Sequence, residues 1–371
     1  MQNIVEELCY LTAIPALSGM EDRMIAEVVN RFKPLADEVE VDMLGNVTAT
    51  FRGQDEKEPT LLVFAHVDEV GCMVTKIESN GFLRFDRIGG VPEKTLRGQF
   101  VDVHTIDNST FYTGFVGTHA HHLTPAEVKY VVPTTDKMYI DLGCCSAEEV
   151  LAKGIRIGSA ITYHPNFQRI GEHHITGKTL DNRIGVLLLI ALAEHLNLNR
   201  PKGTTYLVAS VQEEFNIRGN MPAFTRLEPT AAICLDITSA CDTPDLNLRY
   251  DISLGKGPAV LQMNFHGRGT LAGLIPHPKF RLFIEQTIED LKIPYQRQTI
   301  IGEITDDAFT VVLGKYGVAM AHLSIPMRYS HSPIETSDIR DIEAGIKIIT
   351  EVVSRFDHTL DLKRGATVPL P

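Results

Sequence analysis

The sequence has no cluster of lysine and arginine residues, and it contains more acidic than basic side chains. Its 371 residues include 47 Asp and Glu against 35 Lys and Arg, for a formal net charge of -12. Nucleic acids and anionic membrane surfaces attract positive charge, so this composition argues against both as partners. The longest apolar run, VLLLIALA at residues 186–193, is too short to span a bilayer. The first 17 residues have no basic flank, so we expect no secretion signal.

The sequence also has no CxxC pair, no internal repeat and no low-complexity segment. Six cysteines occur, at positions 9, 72, 144, 145, 234 and 241. A chain of this length does not need disulfides for stability, so we expect reduced, mostly buried thiols in a cytoplasmic protein. The adjacent Cys144 and Cys145 lack further ligands for a soft metal. The stretch THAHHLT at residues 118–124 has three histidines without nearby acids, and we do not expect it to bind metal.

The pattern of apolar residues favours an α/β fold. Apolar residues make up 44% of the chain and charged residues 22%, which is ordinary for a globular protein with a sizeable core. The nearly unbroken apolar run at residues 60–71 is typical of a strand covered on both faces. Further strands are predicted within residues 39–53 and at 204–214, 230–236 and 318–326.

Helical periodicity alternates with these strands. Residues 18–33 predict a helix that opens with Ser18 and Glu21 in capping-box spacing. Further helices are predicted at residues 181–196, 277–292 and 337–356. The alternation predicts a mixed or mostly parallel central sheet sandwiched by helices.

Between residues 70 and 164 the sequence pattern changes from alternating helices and strands to short β-type stretches. Short β-type stretches such as GFLRFDRI, GQFVDVHTI and TFYTGFVGT are separated by Gly, Asn and Asp, and a helical pattern returns only at SAEEVLAKG. We therefore predict a small β-rich barrel or sandwich at residues 70–164, inserted into a larger domain formed by residues 1–69 and 165–371.

Acidic and histidine side chains recur where the predicted strands end. In open α/β sheets, ligands bind beyond the carboxyl ends of the strands, so these side chains are expected to share one edge. They are His66 and Asp68, Glu213 and Glu214, Asp236, and His331, with Asp181 at the start of a helix.

Mixed imidazole and carboxylate ligands suit divalent ions such as Zn²⁺, Co²⁺ or Mn²⁺. A mononuclear hydrolase needs about three protein ligands, so this set is too rich for a single ion. Two ions about 3.5–4 Å apart, bridged by one carboxylate, fit better. They also explain the adjacent Glu213 and Glu214, because cations offset the repulsion between the two carboxylates.

Each of these residues, taken alone, has an ordinary structural explanation. His66 could be a core histidine paired with Asp68, and Asp181 could cap a helix. Asp236 could belong to a turn, His331 to the surface, and the paired glutamates to a solvated loop. None of these explanations accounts for acids and histidines at the end of strand after strand.

Seven segments together resemble a known family, the clan MH dinuclear aminopeptidases of the tetrahedral (TET) type, which includes glutamyl and deblocking aminopeptidases. The resemblance covers residues 5–358 and implies a zinc-exopeptidase-like fold. The segments are AHVDEVG (65–71), DLGCCSAEEV (141–150), GKTLDNRIG (177–185), QEEFNIRG (212–219), CLDITSACDTP (234–244), LGKGPAV (254–260) and RYSHSPIE (328–335).

The resemblance implies a role for each candidate residue. One ion would be held by His66 and Asp236, a second by Glu214 and His331, and both would be bridged by Asp181.

The resemblance also implies the reaction. Glu213 would be the general base for a water shared by the two ions, and Asp68 would orient His66. The expected substrates are short peptides with a free N-terminus. The inserted domain would mediate subunit contacts, and the implied assembly is a dimer-based homo-oligomer, a dodecameric tetrahedron.

Two segments depart from the family's pattern. Phe215 and Asn216 replace Val and Gly after the paired glutamates, and Glu303 and Ile304 lie where relatives have Gly-Gly before Thr-Asp. Both changes are expected to alter substrate specificity more than chemistry. Two alternatives therefore stay open: a dimetal deacylase or amidohydrolase of N-acylated small molecules, and a non-catalytic protein that retains metal for assembly.

Overall fold

An open sheet and a closed barrel organise the chain in this computed structural model, which describes residues 3–246, 249–265, 273–301 and 317–365. Within these residues, twelve strands form one mixed sheet and six form the barrel. The sheet strands are β1 (Glu38–Val41), β2 (Val47–Phe51), β3 (Leu61–His66), β10 (Gln168–Ile170), β11 (His174–Gly177), β12 (Thr205–Ser210), β13 (Ala231–Ser239), β14 (Ala259–Phe265), β15 (Gly273–Leu274), β16 (Gln296–Ile301), β17 (Ala319–Arg328) and β18 (Glu335–Asp338).

The centre of the sheet is parallel and its flanks are antiparallel. Strands β12, β3, β13 and β17 run parallel as neighbours. The full order is β1-β2-β12-β3-β13-β17-β18-β11-β10, and β14 joins β15 and β16 to β17. Parallel neighbours end at the same edge, so the residues that follow these strands meet there. The mixed α/β fold class with a barrel, predicted from the sequence, is confirmed.

Strand β3 shows how the sheet is covered on both faces. Leu61, Val63 and Ala65 belong to one apolar cluster, whereas Leu62 and Phe64 belong to the cluster on the other face. This follows from the alternation of side chains along a strand. The first face is covered by α1 (Ile4–Ala13), α2 (Asp22–Phe32), α5 (Leu180–Leu198), α7 (Pro278–Leu291) and α8 (Ile339–Arg355). The second face is covered by the short helix α6 (Met221–Leu227) and by β14 and β15.

Helix α5 is buried almost all around because it lies between the sheet and other helices. It contacts β3 and β13 on one side and α1 and α8 on the other. Its approach to the sheet is close at Gly185, where an added Cβ would lie 2.8 Å from the Cβ of Ala65. This packing holds the first turn of α5 against the end of β3.

The barrel lies between β3 and β10 in the chain. Its strands close in the order β4-β5-β8-β7-β6-β9 around a separate apolar core that includes Val74, Phe85 and Ile140. The strands are β4 (Gly71–Ile77), β5 (Leu83–Ile88), β6 (Phe100–His104), β7 (Phe111–Val116), β8 (Ile140–Asp141) and β9 (Ala160–Tyr163). Two short helices, α3 (Glu93–Leu96) and α4 (Ala147–Ala152), complete it.

The predicted capping box at the start of α2 is wrong. The helix begins at Asp22, and neither Ser18 nor Glu21 caps it with its side chain. Instead, the Ser18 hydroxyl donates to Asp68 at 2.5 Å, and Glu21 accepts the amide of Gln212 at 3.2 Å. Both partners are remote in sequence, so a local spacing rule could not anticipate them.

Two further expectations are settled by the described residues. No helix among them is both long enough and apolar enough to cross a membrane. All six cysteines are free thiols, and three of them, Cys72, Cys234 and Cys241, are buried. The expectation of mostly buried thiols is therefore only half met.

Candidate active site

The predicted site residues all lie at one edge of the sheet. His66 is the last residue of β3, Asp236 lies within β13, and His331 follows the end of β17 at Arg328. Asp181 lies at the start of α5, where the sequence placed it, but its backbone is not helical, with φ -81° and ψ 105°. The N-cap of α5 is Thr179.

His66 is surrounded by carboxylates. Its Nε2 atom lies 3.2 Å from Asp181 Oδ1, 3.7 Å from Asp236 Oδ1 and 4.0 Å from Glu213 Oε2. Its Nδ1 atom lies 3.5 Å from Asp68 Oδ1. The His66 residue is only 1% exposed, so these groups meet in a water-poor environment.

His331 faces the other side of Asp181. Its Nε2 atom lies 3.3 Å from Glu214 Oε1 and 3.5 Å from Asp181 Oδ2. Since Asp181 Oδ1 faces His66, the two oxygens of one carboxylate point at two different histidines. One ligand atom from each of His66, Asp181 and Glu214 also lies within 4.8 Å of the other two, which is compact enough for metal binding.

Asp68 supports the paired glutamates as well as facing His66. Its buried carboxylate accepts the backbone amides of Glu213 and Glu214, each at 3.0 Å, and the hydroxyl of Ser18. Burial opposes ionisation, but His66 and these donors keep the pKa of Asp68 below its ordinary value. The sequence suggested the contact between Asp68 and His66, but it did not predict the hydrogen bonds from the backbone amides of Glu213 and Glu214 to Asp68.

A buried ion pair fixes the loop that carries Asp181. Glu69 accepts hydrogen bonds from Lys178 Nζ at 2.6 Å and from Thr179 Oγ1 at 2.7 Å. Directly after Asp181, the side-chain amide of Asn182 donates to the Leu235 carbonyl at 2.9 Å. Breaking one partner of such a buried pair costs about 3–5 kcal/mol, so this loop is held firmly.

Glu335 is a site residue that the sequence interpretation missed. Its Oε2 accepts the backbone amide of Asp181 at 3.0 Å, and its Oε1 accepts the amide of His331 at 2.8 Å. Burial, together with the charge of Asp181, raises the pKa of Glu335 well above its ordinary value. Glu335 therefore ties together the two segments that carry Asp181 and His331. Its position four residues after His331 was a possible signal, but spacing alone does not distinguish it from a surface acid.

Glu21 is a second acid that the sequence did not predict, and it lies next to Asp68. It is 3% exposed and accepts the amides of Gly19 at 2.7 Å and Gln212 at 3.2 Å. Burial and the neighbouring Asp68 raise the pKa of Glu21 to about 7. Through Gln212 it supports the start of the glutamate loop.

The two histidines hold protons strongly in the absence of a cation. Burial opposes this, but the carboxylates of Asp181, Asp236 and Asp68 raise the pKa of His66 well above its ordinary value. Glu214 and Asp181 have the same effect on the pKa of His331, against its burial. Burial raises the pKa of Glu214, whereas the two histidines outweigh burial and lower that of Asp181. Carboxylates that favour the positively charged form of two histidines would also favour the binding of divalent cations.

These pKa directions predict that the stability of the metal-free protein and the stabilisation added by metal change in opposite directions with pH. Above about pH 6.5, the ordinary pKa of histidine, the folded metal-free protein binds more protons than the unfolded chain. Its free energy of unfolding therefore falls as pH rises. Divalent ions must displace those protons, so the stabilisation by metal grows over the same interval. Thermal unfolding with and without Zn²⁺ at several pH values checks both signs, and a metal effect independent of pH would contradict them.

The prediction for Glu335 is a loss of metal affinity without a change of fold. Glu335→Gln places an amide NH₂ against one of two backbone N–H donors, so one ligand segment loses its acceptor. Outer hydrogen-bond partners of metal ligands typically contribute 10–100-fold, so we expect divalent-ion affinity to weaken by about that factor. Isothermal titration checks this, with Glu343→Gln, an exposed acid on α8, as the control. Equal affinity in the two variants would refute the role of Glu335.

The loop after the paired glutamates departs from ordinary backbone geometry. Asn216 and Ile217 have φ values of 69° and 51°, in the left-handed region that asparagine tolerates better than a β-branched residue does. Phe215 is exposed, and the Arg218 guanidinium lies 4.6 Å from the centre of its ring. The second departure, Glu303 and Ile304, lies outside the described residues. The exposed histidines of residues 118–124 do not form a ligand group of the kind found at His66 within the described residues.

Comparisons with known proteins agree with this fold. The sequence profile of the M42 glutamyl aminopeptidase family matches residues 45–348. Lysyl aminopeptidase of Pyrococcus furiosus is 35% identical over 350 residues, covering 93% of this chain and 96% of the relative. Aminopeptidase APDkam598 of Desulfurococcus kamchatkensis has a similar structure, with a TM-score of 0.89, 33% identity and 98% of each chain covered. The TET1 peptidase of Pyrococcus horikoshii gives a TM-score of 0.83 at 27% identity, covering 95% of this chain and all of that one.

These matches define a hydrolase of the aminopeptidase class. The chain belongs to the M42 glutamyl aminopeptidase family. The resemblance to TET-type aminopeptidases drawn from the sequence is confirmed.

Proposed function

We propose that the protein is a dinuclear metal-dependent aminopeptidase that removes the N-terminal residue from short peptides. The observation that carries this proposal is the placement of Asp181, whose two oxygens face His66 at 3.2 Å and His331 at 3.5 Å. A single carboxylate shared between two imidazoles is the arrangement that a bridging ligand requires. The family name and the relatives' names support aminopeptidase activity independently.

The donor set fits two divalent ions such as Zn²⁺, Co²⁺ or Mn²⁺. Imidazole nitrogens and carboxylate oxygens are the ligands that these ions prefer. His66 and Asp236 would hold one ion, Glu214 and His331 the other, and Asp181 both. The chemistry that such ions supply is activation of water and polarisation of a carbonyl group.

Glu213 would move the proton in this reaction. Its carboxylate lies 4.0 Å from His66, at the ligand cluster, and its backbone amide is fixed by Asp68. From there it would accept a proton from the attacking water and return it to the leaving amine. Neighbouring Glu214 turns towards His331 instead, so the two adjacent glutamates would have different tasks.

The acidic edge also favours substrates with a free N-terminus. An α-amino group carries positive charge near neutral pH, and carboxylates surround the place where it would bind. Acylated N-termini lack that charge, which separates an aminopeptidase from a deacylase.

A substrate panel tests the proposed activity. Aminoacyl-nitroanilides, free peptides and their N-acetylated forms are incubated with enzyme reloaded with Zn²⁺, Co²⁺ or Mn²⁺, and chelator-treated enzyme is the control. We expect release of the first residue from free peptides only, and loss of activity with the chelator. Absence of release from any free N-terminus would overturn the proposal, and hydrolysis restricted to N-acyl compounds would favour the amidohydrolase alternative. The family is named for glutamyl substrates and its Pyrococcus furiosus member for lysyl substrates. The panel therefore includes peptides with an acidic and with a basic first residue.

We further propose that residues 70–164 mediate self-association, while residues 1–69 and 165–371 form the catalytic domain. The structurally similar TET1 peptidase of Pyrococcus horikoshii can assemble into a tetrahedron or a large octahedral shell. In this chain, Phe100, Phe111 and Phe115 on the barrel are 61%, 41% and 43% exposed, and the rings of Phe100 and Phe115 are in edge contact. Exposed aromatic groups of this kind are typical of protein interfaces.

The expected effect of charging this surface is dissociation. The double variant Phe100→Asp with Phe115→Asp places two like charges at a proposed subunit contact. The mass measured by light scattering should therefore fall below that of the proposed assembly, a tetrahedral dodecamer built from dimers. Leu198→Asp, an exposed change on the main domain, is the control. An unchanged mass for the double variant would remove this surface from the assembly.

A further inference from the structure

A loop of the inserted barrel reaches the candidate active site. Gly89 and Gly90 lie between β5 and α3, and both face residues at the sheet edge. The Gly90 carbonyl oxygen lies 3.2 Å from Nδ1 of His331. A Cβ placed on Gly89 would lie 3.2 Å from the carbonyl oxygen of Glu214. The barrel therefore touches both residues of the position formed by Glu214 and His331.

The contact between Gly90 and His331 decides how the imidazole is presented. A carbonyl oxygen can only accept a hydrogen bond, so Nδ1 of His331 must carry a proton and donate it. Nε2 then points to Glu214 at 3.3 Å and to Asp181 at 3.5 Å. Histidine ligands commonly bind through one nitrogen while the other donates to a carbonyl or carboxylate, which fixes both tautomer and ring orientation.

We propose that Gly90 of the inserted barrel is a positioning residue of the active site, whose carbonyl orients His331 and thereby sets the affinity of the metal position formed by His331 and Glu214. This inference rests on the proposed dinuclear function. It gives the barrel a part in the chemistry in addition to the proposed role in self-association.

The loop packs so closely on His331 that a side chain at position 90 does not fit. A Cβ there would lie 2.7 Å from Nδ1 and 3.0 Å from Cε1 of the ring. The backbone of Gly90 is outside the left-handed region, so alanine is compatible with its φ value. Glycine is needed at this position for space, and an added methyl group would act on the imidazole itself.

The loop is held in place from within the barrel. Arg87 Nη1 donates to the Val91 carbonyl at 2.9 Å and pairs with Glu93 at 2.9 Å. Val91 is fully buried in the barrel core. The position of the Gly90 carbonyl is thus fixed by the barrel and not by the sheet.

The segment leaving the barrel contacts the same loop of the sheet domain. Asn166, which follows β9, donates to the Pro333 carbonyl at 2.7 Å, two residues after His331. The same side chain accepts the backbone amide of Lys178, three residues before Asp181, at 3.0 Å. These two hydrogen bonds of Asn166 reach the segments that carry His331 and Asp181, so a shift of the barrel would move both segments.

The test compares Gly90→Ala with the wild-type chain in metal binding. We expect one ion to bind as in the wild type and the other, at His331 and Glu214, to bind about 10–100-fold more weakly in isothermal titration. The metal content after dialysis should fall from two ions per subunit towards one. Thr118→Ala is the control, because it introduces the same residue type at an exposed position of the inserted domain, outside the Gly90 loop.

Arg87→Met is a second variant, chosen because it lies on the barrel surface and leaves Gly90 intact. It removes the hydrogen bond to Val91, so we expect a smaller weakening of the same ion. Independently, the ¹⁵N spectrum of histidine-labelled, metal-loaded wild type should show a protonated Nδ1 for His331. Two tightly bound ions in Gly90→Ala, or an unprotonated Nδ1 in the wild type, would overturn the proposal.

These outcomes are separable from failure of the proposed function. If wild type fails to bind two ions or to release N-terminal residues, the dinuclear aminopeptidase assignment is wrong and the role of Gly90 falls with it. If wild type does both and Gly90→Ala does both equally well, only the inference about the barrel is wrong.

Discussion

Replacing Glu213 with glutamine is expected to lower kcat by about 10²–10⁴-fold while both metal ions remain bound. That range corresponds to about 2.7–5.4 kcal/mol of lost transition-state stabilisation. Glutamine keeps the shape of the side chain, and the backbone amide that Asp68 holds is unchanged. What is lost is the ability to accept and return a proton. Turnover of a good nitroanilide or peptide substrate, together with metal content, measures both parts.

Glu214→Gln is the matched comparison, because it makes the same chemical change at the adjacent position. Glu214 faces His331 at 3.3 Å, so this variant should lose affinity for one ion as well as activity. Metal retained in Glu213→Gln but lost in Glu214→Gln would separate the proton carrier from the ligand. If Glu213→Gln retained full activity, another group would have to be the general base.

Replacing Asp181 with asparagine is expected to abolish activity and to reduce bound metal to fewer than two ions per subunit. Both oxygens of Asp181 face histidines, whereas asparagine offers one neutral oxygen and an NH₂ group that repels a cation. Titration with Zn²⁺ and peptidase assays measure the two effects. Asp236 faces His66 and not His331, so Asp236→Asn should weaken the binding of only one ion. Two tight ions in Asp181→Asn would contradict the bridging role.

The sequence predicted the fold where local patterns determine it. The apolar run that ends in His66 became the fully buried β3, and the apolar run at residues 186–193 became the centre of α5. These elements follow from periodicity and burial, which act over a few residues. The capping box at Ser18 failed because the Ser18 hydroxyl donates to the remote Asp68, and Glu21 accepts the amides of Gly19 and Gln212 instead of capping the helix.

The site was predictable to the extent that its residues lie near the carboxyl ends of strands, although β13 does not end at Asp236 as predicted but continues to Ser239. His66, Asp236 and His331 could be placed together because parallel strands share an edge. Glu335 and Gly90 could not, because their roles lie in contacts to backbone amides and to a ring 154 and 241 residues away in sequence. The Glu335 contact exists only after α5 and β18 have packed together, and the Gly90 contact only after the barrel has packed against the sheet domain.

Anomalous diffraction from crystals soaked in Zn²⁺ or Mn²⁺ would test the pairing of ions most directly. We predict two peaks about 3.5–4 Å apart, one beside His66 and the other beside His331, with the Asp181 carboxylate between them. A single peak away from Asp181, or none at this edge of the sheet, would contradict it.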